Sequence, residues 1–149
     1  MKRIVSIQDI SDIGKCSLTA ALPVISAMGV ECAVLPTAVL SAHSQFEGFT
    51  FRDLTGEMTA TAEHWKRLGL RFDAVYTGYL GSPRQVDVVR GFFDDFGKDA
   101  KIIVDPAMAD FGRLYSGFDA DFPREMARLC EGADIILPNI TEACLLLGA

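Results

Sequence analysis

Short apolar runs alternate along this chain with longer amphipathic stretches, and that alternation limits the folds open to it. The clearest run is Ile102-Ile103-Val104, which ends on a carboxylate at Asp105 and is stopped by Pro106. Arg3 to Gln8, Cys32 to Leu35, Ala74 to Tyr79 and Ile135 to Leu137 have the same character. Between them lie helix-length patterns over Leu18–Met28, Leu54–Leu68, Arg84–Phe96 and near Phe122–Cys130, with a last one from Thr141 to Leu147. This order predicts an α/β fold: a doubly wound, mostly parallel sheet with helices on both faces and right-handed crossovers. Local punctuation supplies detail. Ser17 is expected to cap the first helix, Pro23 to kink it or delay its start, and Pro83 to sit in the first turn of its helix. Pro36 is expected to close the second strand, leaving Thr37 to Thr50 as a long loop of the kind that carries function.

The 149 residues suffice for one domain with a real core. A net charge of −6 argues against a nucleic-acid surface. No secretory signal precedes the first strand, and no apolar stretch is long enough to span a membrane. Cys16, Cys32, Cys130 and Cys144 form no C-x-x-C pair and no Cys/His metal spacing. Reduced thiols in a cytoplasmic protein are therefore expected.

In a parallel sheet, all the loops that follow strands open on one edge, where ligands bind. That edge should gather Asp9, His43, Ser44, Tyr79, Asp105, Asp110, Asn139 and Glu142. Asp105 and Asp110 suit Mg²⁺, which takes one or two carboxylates together with waters and phosphate oxygens. They equally suit a polar turn after a strand. His43 reads as a substrate contact or as a surface loop residue. Tyr79, between Gly78 and Gly81, reads as a platform for a flat ring or as a cover for the sheet end. Asn139 and Glu142 read as a helix start with a capping box, a position from which Glu142 could also hold a hydrated metal. There is no P-loop, no dinucleotide fingerprint and no nucleophile–base arrangement.

Several segments together resemble the pyridoxal/pyridoxamine kinases of the ribokinase-like superfamily. They are Gly14-x-x-Ser17, Leu35-Pro36-Thr37-Ala38-Val39-Leu40-Ser41-x-His43-Ser44, Thr77-Gly78-Tyr79-Leu80-Gly81-Ser82, Asp105-Pro106-x-Met108-x-Asp110 and Pro138-Asn139-x-Thr141-Glu142-Ala143. The resemblance implies an ATP-dependent kinase acting on the 5′-hydroxymethyl group of a B6 vitamer, with Mg²⁺. It puts Asp105, Asp110 and Tyr115 near the ATP phosphates, and Asn139 and Glu142 about the metal, with Asp105 and Glu142 as its carboxylates. His43, Ser44 and Tyr79 would line the ring pocket, with Ala38 and Leu40 as its apolar wall. Asp9 stands where many relatives have a ring-contacting Ser, a departure that bears on substrate choice.

The family continues well beyond this length, and its later part supplies the adenine pocket and a Gly-x-Gly-Asp loop with the general base. No Gly-x-Gly-Asp occurs here. Residues 1–149 are therefore expected to be the N-terminal part of a single ribokinase-like domain, with no catalytic base of their own. Alternative readings are a hydroxymethylpyrimidine or phosphomethylpyrimidine kinase, or a non-catalytic binding module or half of an assembly completed by another chain. The expected partners are a B6 vitamer and ATP, with no nucleic acid and no membrane. The resemblance leaves room for a homodimer of the complete protein.

Overall fold

The computed structural model describes residues 1–149. Its main sheet has strands β1 (Arg3–Ser11), β2 (Glu31–Leu40), β3 (Phe51–Asp53), β4 (Ala74–Thr77), β5 (Lys101–Val104) and β8 (Ile135–Ile136), in the order β3-β2-β1-β4-β5-β8. Every neighbouring pair is parallel except β2 with β3. A small antiparallel ribbon, β6 (Ala109–Asp110) with β7 (Arg113–Leu114), lies between β5 and α4. Helices α1 (Leu18–Ala27), α2 (Thr55–Arg67), α3 (Pro83–Phe96), α4 (Phe122–Cys130) and α5 (Ile140–Leu147) complete the chain. The mostly parallel α/β architecture expected from the alternation is the one observed.

The core lies on one face of the sheet. Val5, Ile7, Leu35, Val75 and Val104 meet Met58 of α2, Val86, Val89 and Phe92 of α3, and Met126 and Leu129 of α4. Trp65, Phe72, Phe92 and Phe96 form an aromatic cluster at its base, with Phe92 and Phe96 at 4.4 Å between centroids. The opposite face, presented by Gln8 and Tyr76, is covered only by α1.

Several local expectations are corrected. β1 runs on through Asp9 to Ser11, so Asp9 is a strand residue rather than the start of a loop. β2 continues through Pro36 to Leu40, because β3 begins to pair only at Ala38 and the proline's missing N–H faces an open edge. Between Gln8 and Ile10 the register slips, so that Thr37 and Ala38 together oppose Asp9 in a β-bulge. The first four residues of the expected long loop, Thr37 to Leu40, are therefore strand, and β3, just past its end, was not foreseen. Ser17 makes no side-chain cap; its backbone is left-handed at φ 50°. α1 starts at Leu18, with Pro23 inside it, so the proline does not delay the helix start. Ser82 does cap α3, accepting from Gln85 N–H at 3.3 Å, and Pro83 occupies the first turn as expected.

Candidate functional site

The C-terminal ends of β1, β2, β4 and β5 converge on a cavity of about 300 Å³ lined by Asp9, Ser11, Gly14, Cys16, Ser17, Leu40, His43, Ser44, Gln45, Tyr79, Ala107 and Tyr115. Asp9, Leu40, His43, Ser44 and Tyr79, expected to line a ring pocket, thus meet in one place, with Tyr115 beside them. Ala38 does not reach the cavity; it is buried at the bulge, under the wall that Leu40 provides.

Two loops are locked together to form one side. His43 N–H donates to Ile13 carbonyl at 3.0 Å, and Asp12 N–H to Leu40 carbonyl at 2.9 Å. The His43 ring lies directly over Gly14, where a Cβ would fall 2.0 Å from Cδ2, and Gly14 has φ +128°. Only glycine suits that position. Gln45 N–H donates to His43 Nδ1 at 3.3 Å, so this nitrogen serves as an acceptor.

Tyr79 forms the facing wall. Thr37 Oγ1 donates to its carbonyl at 2.9 Å, and Phe118 backs its ring at 5.5 Å between centroids. Burial, reinforced by the charge of Asp9, pushes the Tyr79 hydroxyl up to about 12, so it keeps its proton at neutral pH. The backbone beneath is fixed by Gln85 of α3, which is fully buried. Its Oε1 accepts from Gly81 N–H at 2.7 Å, and its Nε2 reaches Thr37 carbonyl at 2.8 Å and both Asp53 Oδ2 and Thr55 Oγ1 at 3.1 Å. One amide therefore joins β2, the β3–α2 corner and the Tyr79 loop.

The second half of the site is acidic. Asp105 borders an adjoining groove with Gln8, Ser17, Tyr76 and Ala107. Burial, and then the charge of Glu142, push its carboxyl up to about 6. The Tyr115 hydroxyl is pushed up to about 12 by burial and then by Glu142, Asp110 and Asp105. Glu142 is almost fully buried and forms a capping box with Asn139. Its Oε1 also accepts from Met108 N–H at 3.0 Å and Ala109 N–H at 3.4 Å, and Asn139 Nδ2 donates to Ala109 carbonyl at 2.8 Å. The capping reading of Asn139 and Glu142 is thus the observed one. The same bonds pin the segment that carries Asp105 and Asp110 to the start of α5. Asp110 Oδ1 accepts from Phe111 N–H at 2.8 Å.

Nowhere do three or more His, Cys, Asp or Glu side chains gather as a metal cage. The residues present still fit Mg²⁺, which uses one or two carboxylates and leaves the remaining positions to water and phosphate. Asp105 would be the better direct ligand, since the Glu142 oxygens are already engaged by backbone N–H groups.

Ser11, Cys16, Gln45 and Gln85 are site residues that sequence reasoning missed. Gln85 was the one that could have been found. It falls in the i, i+4, i+7, i+11 row with Val89, Phe92 and Phe96, and a polar residue on an apolar helix stripe marks a buried anchor.

No protein-family model matches the sequence. The chain is 31% identical over 157 residues to the pyridoxal kinase PdxY of Burkholderia lata, covering 99% of this chain and 54% of that one. A solved structure from Bacteroides thetaiotaomicron, described as a "putative phosphomethylpyrimidine kinase" and crystallised with pyridoxal, superposes with a TM-score of 0.95. It is 49% identical, over 99% of this chain and 52% of that one. The crystal structure of pyridoxal kinase from Lactobacillus plantarum gives a TM-score of 0.93 at 38% identity, over 100% of this chain and 54% of that one. The chain therefore has the ribokinase-like α/β fold and is similar along its length to pyridoxal kinases, spanning about half the length of those it matches.

Proposed function

We propose that the protein carrying this chain is an ATP-dependent kinase that phosphorylates the 5′-hydroxymethyl group of pyridoxal, pyridoxamine or pyridoxine. The observation that carries the reading is the convergence of Asp9, His43, Ser44 and Tyr79 on one small cavity beside Tyr115 and the groove of Asp105. The cavity is of ring size and has an aromatic wall, and the acidic segment next to it is held rigid by Glu142 and Asn139.

Phosphoryl transfer depends on positioning and electrostatic stabilisation, with little covalent work for the protein. In this reading the cavity residues orient the ring and its hydroxymethyl group. Asp105, with Glu142 through water, would hold Mg²⁺, and the ion would neutralise charge on the phosphates. Asp110, Tyr115 and Asn139 border the same phosphates. The Tyr115 phenol, kept protonated, is a hydrogen-bond donor there. We assign no catalytic base among residues 1–149. The proposal includes the cytoplasm as compartment, for which the free cysteines are the support. It includes a homodimer of the complete protein, for which the open edge of β3 with half-exposed Phe51 is the support.

A second reading, phosphorylation of a hydroxymethylpyrimidine, is favoured by the description of the Bacteroides thetaiotaomicron relative, although that protein was solved with pyridoxal. The test is a coupled ADP-release assay on the complete protein with MgATP. Turnover of pyridoxal, pyridoxamine or pyridoxine above hydroxymethylpyrimidine is expected. Turnover of the pyrimidine alone would select the second reading, and turnover of neither would overturn both.

A further inference from the structure

Asp9 is unlike the other well-anchored carboxylates of this chain. Asp73 accepts from Arg3 N–H and pairs with Lys2. Asp134 accepts from Ile102 N–H and pairs with Lys101. Glu142 accepts from three backbone N–H groups. Asp9 is only 3% exposed, yet its single hydrogen bond comes from a neutral hydroxyl, Ser11 Oγ, which donates to Oδ2 at 2.8 Å. It takes part in none of the ion pairs.

The cavity it faces offers no compensation. No Lys or Arg lines it. His43, the one side chain there that could carry positive charge, turns Nδ1 to Gln45 N–H and makes no hydrogen bond or ion pair with Asp9. The other ionisable groups in the wall are Cys16, Tyr79 and Tyr115, and these can only add negative charge. A carboxylate taken out of water without a partner is costly, and a buried charge in a native protein is normally paired. Here the missing partner has room to come from a ligand. The same wall contains the broad face of Tyr79, which suits a flat ring.

We propose that Asp9 is a specificity-determining residue that pairs with a protonated ring nitrogen of the ligand, so that the cavity selects aromatic heterocycles in their cationic form. The inference rests on the reading of this cavity as the ring pocket and names the charge state that pocket takes. A charge-assisted N–H···carboxylate bond is about twice as strong as a neutral one, and beside a carboxylate that is itself buried the difference is large enough to discriminate.

Two ligand pairs test it by titration of the complete protein. One is pyridoxine against its carbocyclic analogue, with the ring nitrogen replaced by CH, followed by calorimetry. The other is 4-aminopyridine, protonated on its ring at neutral pH, against the neutral isostere aniline, followed by ligand-observed NMR. We expect wild-type protein to prefer the nitrogen member of each pair by at least about tenfold. Asp9→Asn, which keeps the shape and removes the charge, should bring each preference below about threefold. If the aminopyridine pair discriminates and pyridoxine does not bind, the vitamer reading fails while the role of Asp9 stands. If wild-type protein discriminates in neither pair, or if folded Asp9→Asn protein retains the full preference, the role of Asp9 is overturned, whatever pyridoxine does. The wild-type comparison needs no variant and so decides the matter even if Asp9→Asn fails to fold.

Discussion

Gln85→Met is the substitution that most directly tests how the ring pocket is held. Methionine keeps the length and volume of the side chain and removes both hydrogen-bonding ends. Gly81 N–H, bonded only to Gln85 Oε1 at 2.7 Å, is left without a protein partner at a partly buried position. Such an orphaned donor costs about 1–3 kcal/mol. Thr37 carbonyl loses Nε2 but keeps Leu54 N–H at 3.0 Å, and Asp53 keeps Thr55 N–H at 2.9 Å. Those losses are the milder kind, roughly 0.5–1.5 kcal/mol each. The expected destabilisation is therefore about 2–6 kcal/mol, a large part of the ~5–15 kcal/mol typical of a domain. Urea unfolding followed by tryptophan fluorescence should show a lower midpoint at unchanged slope. Gln85→Glu separates the two ends of the amide. It preserves the acceptor for Gly81 but turns a carboxylate towards Thr37 carbonyl and Asp53, and should cost at least as much. The reasoning is refuted if Gln85→Met shifts stability by less than about 0.5 kcal/mol, the level of an ordinary surface change.

Three further outcomes are expected. The folded Asp105 carboxyl holds its proton up to about pH 6, against 3.8 for the ordinary group, so the folded state binds more protons between these values and stability falls as pH rises through them. Asp105→Asn should remove that fall and raise stability at pH 7 by about 1–3 kcal/mol, and equal wild-type and variant urea midpoints at pH 4.5 and 7 would count against it. Gly14→Ala forces a methyl group into the His43 ring at a backbone angle alanine rarely adopts, and should destabilise by about 1–3 kcal/mol while weakening ring binding; a variant matching wild type in both urea midpoint and vitamer affinity would show that the contact is not needed. Tyr79→Ala should weaken pyridoxal binding to the complete protein about ten- to hundredfold, since aromatic stacking is worth roughly 1–3 kcal/mol per ring, and unchanged calorimetric affinity would remove Tyr79 from the pocket.

The sheet was legible because buried parallel strands leave unbroken apolar runs, and Val5, Ile7, Val75 and Val104 carry that signal. The Pro83 helix start and the Asn139–Glu142 capping box were legible because they are local chemistry. Pro36 misled because a proline ends a ladder only where its N–H side would be paired, and edge status depends on the distant β3. The bulge and β3 leave no local mark for the same reason. His43 and Tyr79 could be placed near each other from topology. The lock of His43 over Gly14 could not, since it joins two loops through tertiary contact. Ser17 reads as a cap by residue type, yet the strained turn that begins at Gly14 carries it into the cavity wall.

The slip opposite Asp9 makes the pocket partly a matter of chain length. β2 uses ten residues to cover the distance that β1 covers in nine. A strand with one residue too many must curl, and the excess bends the path that leads into His43 and Ser44. Removing Ala38 would leave Ser11 aligned with the same leucine and straighten the ribbon, redrawing the pocket's outline without altering a single side chain in its wall. Substrate size in this scaffold can therefore drift by insertion and deletion as well as by substitution, along a route that a comparison of cavity residues alone would not reveal.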